Sequence, residues 1–209
     1  MTTSAPATRM TCEQFYQWLK EDLHAEWVKG EVVLMSPVDY QHQDVAGFLL
    51  EIVRAYVRIR QLGKVAHEPF QMKLGESSRA PDLLFISNAN PHRLKETYLD
   101  GAADLVVEVI SSESRARDRG EKFYEYEAAG VREYWLIDPE RKQAEFYQLG
   151  EDGVYRAALI GSAGVYRSRV LEGLWIEVEW LWRQPDVLEI FKAWGLLDAS
   201  THPETLPRT

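Results

Sequence analysis

Three residues of this 209-residue chain have the types and spacing to hydrolyse a phosphate ester: Asp82, Glu108 and Lys122. Asp82 follows Pro81 and opens the apolar run Leu83-Leu-Phe-Ile86. Glu108 lies inside Asp104-Leu-Val-Val-Glu-Val-Ile110, where an ionised carboxylate is expensive unless it is paired or bound to a metal. Lys122 falls on the helix expected directly after that strand, and Tyr126, four residues on, shares its face. Two carboxylates supply hard oxygen ligands of the kind that hold Mg²⁺. A bound cation polarises a phosphate and lowers the pKa of its water, and a lysine orients that water and stabilises the charge developing on phosphorus. Plainer readings stand beside each residue. Asp82 in Pro-Asp is also a common turn residue, Glu108 a structural ion-pair partner, and Lys122 a solvated or salt-bridging lysine.

Other chemistries lack their signatures. The chain has no phosphate-loop motif, no GxSxG elbow and no GxGxxG, and His67-Glu68 lacks the second histidine of an HExxH zinc site. Cys12 is the single cysteine, which excludes a disulfide framework and fits a reducing, cytoplasmic setting. No run of 18 apolar residues exists to span a membrane, and Met1–Met10 does not read as a secretory signal. The 24 Lys and Arg against 33 Asp and Glu give a net charge of −9, unlike a nonspecific nucleic-acid binder. An enzyme acting on nucleic acid needs only a local basic face. The charge is uneven: from Glu51 to Lys64 there are Arg54, Arg58, Arg60 and Lys64 against Glu51 alone. Arg115, Arg117 and Arg119 read either as phosphate contacts or as a solvated helix start, being interrupted by Glu113, Asp118 and Glu121.

The elements that must position these residues can be read from periodicity. Thr11 with Gln14 is a capping box opening a helix to about Asp22. Glu26 to Met35 reads as two strands about a Lys29-Gly30 turn. Apolar residues at Val45, Leu49, Ile52, Val53, Tyr56 and Val57 predict a long helix over 40–61, closed by a glycine cap at Leu62-Gly63. Strands are expected at 64–67, 70–74, 82–86 and 104–110, with a polar connection over 87–100. A helix over 116–129 stops at Gly130, and strands follow at 133–138, 143–148, 154–159 and 175–178 before a last helix over 186–194. The strand–helix–strand unit from Asp104 to Asp138 implies a parallel pair joined by a right-handed crossover. The expected architecture is α/β, a mixed β-sheet flanked by helices. Residues 1–10 and 199–209 read as flexible ends around one domain over 11–198. Trp135, Trp175, Trp180 and Trp182 read as core or interface aromatics rather than base-stacking platforms.

Several stretches, taken in order, resemble a known family: Glu26-Trp-Val-Lys-Gly-Glu31, Ser36-Pro37 with His42, Pro81-Asp-Leu-Leu-Phe-Ile86, Asp104-Leu-Val-Val-Glu-Val-Ile-Ser111, Lys122 with Tyr126, and Gly130-Val-Arg-Glu-Tyr-Trp-Leu-Ile-Asp-Pro139. Over about Cys12 to Val178 the chain resembles the Uma-two putative restriction endonuclease family, within the PD-(D/E)XK nuclease superfamily. The resemblance implies a restriction-endonuclease-like core and a divalent-metal-dependent endonuclease acting on DNA. Asp82 matches the aspartate of the PD motif and Glu108 the acidic residue of the (D/E)XK strand. The lysine expected two residues on is Ile110 here, and Lys122 matches the family's lysine on the following helix. Mg²⁺ or Mn²⁺ would be held by Asp82, Glu108 and the backbone carbonyl of Val109. Glu31, His42 and Tyr126 are supporting candidates, and the superfamily's habit of pairing sites to cut two strands implies a homodimer. A catalytically silent nuclease-fold module and a metal-dependent hydrolase of a small phosphoester are the rival readings.

Overall fold

A computed structural model describes residues 9–20, 23–111 and 114–197. Helix α1 (Cys12–Trp18) begins at Thr11, whose hydroxyl accepts from the Gln14 N–H while the Gln14 side chain accepts from the Thr11 N–H. It ends at Trp18, short of the expected Asp22, which lies outside the described residues. Arg9 and Met10, expected in a flexible end, are tied down: the Met10 N–H bonds the Gly30 carbonyl at 2.9 Å and the Trp27 indole donates to the Met10 carbonyl. Strands β1 (Ala25–Val28) and β2 (Glu31–Leu34) form the hairpin read at Lys29-Gly30. Helix α2 (Tyr40–Ile59) follows, then β3 (Gly63–His67), β4 (Gln71–Leu74), β5 (Ser77–Arg79) and β6 (Leu83–Ser87). The connection over 87–100 holds one 3₁₀ turn (Pro91–Arg93) and the short β7 (Tyr98–Asp100).

Strand β8 (Leu105–Val109) leads through α3 (Arg115–Arg119) and α4 (Glu121–Ala129) into β9 (Glu133–Asp138). The expected single helix is broken at Gly120, where an added Cβ would lie 2.7 Å from the Ala116 carbonyl. Gly130 ends α4 in the left-handed conformation, φ 82°. Then come β10 (Gln143–Leu149), β11 (Tyr155–Gly161), β12 (Val165–Arg167), β13 (Trp175–Glu177), α5 (Trp180–Arg183) and α6 (Val187–Ala193).

A six-stranded mixed sheet ordered β11-β10-β9-β8-β6-β3 forms the centre, with β8 and β9 parallel as the crossover requires. A five-stranded sheet, β2-β1-β5-β4-β7, and the β12–β13 ribbon complete the fold. Alternation along the central strands sets two cores. Leu83, Phe85, Leu105, Val107, Val109, Trp135 and Ile137 face α2, in a cluster that also takes Trp180 and Trp194. Leu84, Ile86, Val106, Ile110, Tyr134 and Leu136 pack on the other side with Tyr126 of α4. Glu108 falls between Val106 and Ile110 and so takes an apolar place on the α4 side.

The glycine after α2 is not its cap. Gln61 takes the left-handed conformation at φ 54°, and Gly63 starts β3 opposite Ser87. A Cβ on Gly63 would stand 2.0 Å from the Ile86 carbonyl and 2.9 Å from the Phe85 ring. Gly63→Ala should therefore destabilise the protein by about 1–3 kcal/mol by overpacking. A fall in the urea midpoint at unchanged slope would register it, whereas a wild-type midpoint would mean that the β3 edge yields.

Candidate active site

Sheet register brings the two acids together. Leu83 pairs with Val107 in the antiparallel β6–β8 ladder, and one further step sets Asp82 opposite Glu108. Residues opposite each other on such a ladder project to the same face. The Val109 N–H donates to Asp82 Oδ2 at 2.6 Å, fastening the start of β6 to the end of β8. His42 sits in the first turn of α2, where its N–H bonds the N-cap side chain of Asp39, and its Nε2 lies 3.4 Å from Asp82 Oδ1. Burial lowers the His42 pKa, but the Asp82 carboxylate more than offsets this and the imidazole titrates above its ordinary value.

On the other side of Glu108, α4 delivers its polar face. Lys122 is 2% exposed, and its Nζ lies 3.0 Å from Glu108 Oε1, 3.2 Å from Glu26 Oε1 and 3.4 Å from Asp118 Oδ1. The Tyr126 hydroxyl, one turn on, donates to the same Glu108 Oε1 at 2.7 Å. Burial pushes the Glu108 carboxyl well above the usual carboxylate range; Asp118, Asp82 and Glu26 add to the rise and Lys122 opposes it. Burial lowers the Lys122 pKa, but Glu108, Glu26 and Asp118 outweigh it and raise the pKa above its ordinary value. Behind this cluster Arg79, 1% exposed, bonds Glu26 Oε2 at 3.0 Å and Glu125 Oε2 at 2.6 Å.

Asp82, Glu108, Val109, Lys122 and His42 line one cavity of about 40 Å³, together with Arg117, Glu68 and the Met35–Val38 turn. One water needs roughly 10–15 Å³ measured this way, so the cavity has room for a cation with a little of its water. The donor set fits a hard divalent ion. Lys122 and Tyr126 occupy Glu108 Oε1, while no hydrogen bond from a described residue reaches Oε2. Glu26, Asp82, Glu108 and Asp118 crowd together around the cavity and Lys122, so an added positive charge would relieve their mutual repulsion. Among the described residues no three His, Cys, Asp or Glu side chains form a metal cage. Two carboxylates with carbonyl and water completing the shell is the manner of Mg²⁺ rather than of zinc.

Some expected residues are elsewhere. Glu31 is exposed on β2 and pairs with Arg9 at the surface: it stands opposite Val28, on the Glu26 face of the hairpin but at its turn end, and does not line the cavity. Arg115 and Arg119 are engaged by Asp138, Glu140 and Glu145, which leaves Arg117 as the arginine of that group at the cavity. Sequence reading missed Glu26, Arg79 and Asp118. The four-residue step from Asp118 to Lys122 was a usable signal. Glu26 and Arg79 meet across 53 residues, and nothing local announces their pairing.

The family described as putative restriction endonuclease, Uma2, matches residues 12–179. The crystal structure of a putative nuclease belonging to DUF820 from Anabaena variabilis superposes with a TM-score of 0.70 at 14% identity, covering 83% of this chain and 98% of that one. At that identity the likeness shows a shared fold, the restriction-endonuclease-like α/β core. No curated protein matches the chain. No helix among the described residues is long and apolar enough to cross a membrane.

Proposed function

The chain belongs to the Uma2 family of putative restriction endonucleases, and from that premise we propose that it is a divalent-metal-dependent endonuclease hydrolysing DNA phosphodiester bonds. The observation that carries this reading is the convergence of Asp82, Glu108 and Lys122 on one small cavity. Asp82 and Glu108, with the Val109 carbonyl, would hold Mg²⁺ or Mn²⁺. When bound, the cation supplies Lewis-acid polarisation of the phosphate and a water of lowered pKa. His42 fixes Asp82 from the α2 side, and Tyr126 fixes Glu108 through Oε1, so both carboxylates would be held ready for a divalent ion. Lys122, kept protonated by its three acids, donates to the attacking water and to the charge building on phosphorus. Arg117 stands on the cavity wall as a second cation for the phosphate.

Cavity size supports this reading over hydrolysis of a small phosphoester: sites that enclose a small ligand are commonly about 300–1,000 Å³, whereas about 40 Å³ suits a phosphate presented from outside, as a polymer backbone presents it. A silent binding module would gain nothing from buried unbalanced charge, which lowers stability. Cutting both strands of a duplex at once takes two such sites, which a homodimer would provide.

The test is relaxation and linearisation of supercoiled plasmid, expected with Mg²⁺ or Mn²⁺ and absent in EDTA. Alongside it, Mg²⁺ or Mn²⁺ at about 100 times its dissociation constant should stabilise the fold by about 2.7 kcal/mol. For a chain of this size that is a rise in melting temperature of about 5–10 °C. Asp82→Asn should lose most of the rise. No cleavage and no metal-dependent melting shift at millimolar metal would overturn the reading.

A further inference from the structure

The basic stretch noted in the sequence is not used by the catalytic cavity, and the fold gives it a place. Arg54 and Arg58 on α2 and Lys64 on β3 line a groove of about 300 Å³ with Val57, Gly63 and Val65. Arg60 does not line the groove; its guanidinium lies over the Tyr56 ring. None of these cations forms an ion pair with a described residue, so their charge is not neutralised locally. Three unpaired cations on one groove, Arg54, Arg58 and Lys64, are a local reversal of sign on a chain of net charge −9. The α2 dipole, which favours cations in the last helical turn, accounts for Arg58 and Arg60. It accounts for neither Arg54, a turn further in, nor Lys64 on the neighbouring strand.

The patch is joined to the catalytic cavity by the elements that carry it. His42, in the first turn of α2, stands beside Asp82, and Arg58 lies about 24 Å further along the helix at 1.5 Å per residue. Gln43, Leu50, Arg54 and Arg58 follow one another at spacings that keep them close to one stripe of the helix. β3 makes the same journey in reverse: Lys64 is at the patch, while His67 leads into Glu68 on the cavity wall. β3 is also the edge strand of the central sheet, with β6 as its only neighbour there. A second groove, lined by Gln43 and Glu68, shares the Met35–Val38 turn with the catalytic cavity and opens this edge toward it.

We infer that the α2–β3 edge is a tracking surface for a nucleic-acid backbone, with Arg54, Arg58 and Lys64 as sequence-independent phosphate contacts. Along α2, Arg54 and Arg58 lie about 18 and 24 Å from His42, and along β3 Lys64 lies about 13 Å from Glu68, so at about 3.4 Å per base pair these contacts fall roughly four to seven base pairs from the phosphate in the cavity. The identity of the polymer rests on the nuclease reading; the surface and its charge do not.

The experiment measures binding, not cleavage. Fluorescence anisotropy of a labelled mixed-sequence duplex of about 30 base pairs is titrated with full-length protein in Ca²⁺ over a series of salt concentrations. Each phosphate contact contributes about 0.9 to the slope of log affinity against log salt, so Arg54→Ala/Arg58→Ala/Lys64→Ala should flatten the slope by about 2–3 and weaken binding at least about tenfold. Arg54 is half-buried, so Arg58→Ala/Lys64→Ala, at two exposed positions, guards against a folding defect and should lose about two-thirds as much slope. Glu51→Lys, on the same exposed side of α2, should steepen the slope by about 1. Unchanged slope in folded variants, no duplex binding by wild type, or capture of polyglutamate but not of the duplex would each overturn the inference. Loss of slope in the triple variant, with a wild type that cuts no DNA, would uphold the surface and remove the nuclease reading. Metal-dependent cutting with slopes indifferent to all these substitutions would do the opposite.

Discussion

Lys122→Met should cleave plasmid DNA at least about 10²–10³-fold more slowly than wild type, the usual loss when one preorganised donor to a developing oxyanion is removed. The ammonium is the group at the cavity that Glu26, Glu108 and Asp118 jointly hold charged, at 3.0–3.4 Å. Methionine keeps much of the volume and removes the charge. Lys122→Arg should recover little, because a planar fork cannot take the place of a compact ammonium packed among three carboxylates. Both variants will also melt lower. Removing one partner of a buried ion pair costs about 3–5 kcal/mol, and here three acids lose the cation they share. Cleavage is therefore compared below each variant's melting temperature, with a retained metal-induced melting shift as the sign of an intact metal site. A folded Lys122→Met that binds metal and cuts at the wild-type rate would remove Lys122 from the chemistry and leave an acid-only metal site.

Arg79→Ala should destabilise the protein by about 3–5 kcal/mol, or about 6–20 °C in melting temperature for a chain this long, although Arg79 does not line the cavity. Arg79 is 1% exposed and joins Glu26 of β1 to Glu121 and Glu125 of α4, locking the hairpin sheet to the helix that carries Lys122. Glu26, fully buried, accepts from the Ala80 N–H and from Lys122 as well, so without Arg79 it keeps one cation where it had two. Lysine at 79 should not restore the loss, since one ammonium cannot serve the carboxylates that the guanidinium spans.

The pH dependence gives that prediction a sign. Burial raises the Glu26 pKa, but Lys122 and Arg79 outweigh it and hold the carboxyl below its ordinary value. A depressed carboxylate contributes stability above its unfolded pKa and loses it as the pH falls through the folded one. The gap between wild type and Arg79→Ala should be full at neutral pH and narrow on acidification below about pH 4, near the unfolded glutamate pKa. A gap that is flat with pH would mean that Arg79 acts through packing rather than through Glu26.

The amino-acid sequence by itself determined the crossover unit, the two faces of the central sheet and the three residues that stand out chemically. Each is a departure from, or a continuation of, a local hydrophobic period. Glu108 is conspicuous because its neighbours Val106 and Ile110 are apolar, and Lys122 because a helix after a parallel strand must return over that strand. Breaks in backbone conformation were less legible. Gln61 rather than Gly63 takes the left-handed turn, and α3 and α4 part at Gly120, because close approach to a carbonyl decides where glycine is needed. Strand β5 escaped notice because Ser77-Ser78-Arg79 reads as a polar loop. These residues are buried by bonds to Gln71, Glu125 and Glu26 rather than by apolar character. Only the tertiary structure decided that Glu26 belongs to the site and Glu31 to the surface, and that one lysine serves three acids. Hydrophobic period records desolvation along the chain, whereas ion pairing across tens of residues depends on how two sheets and a helix register against one another.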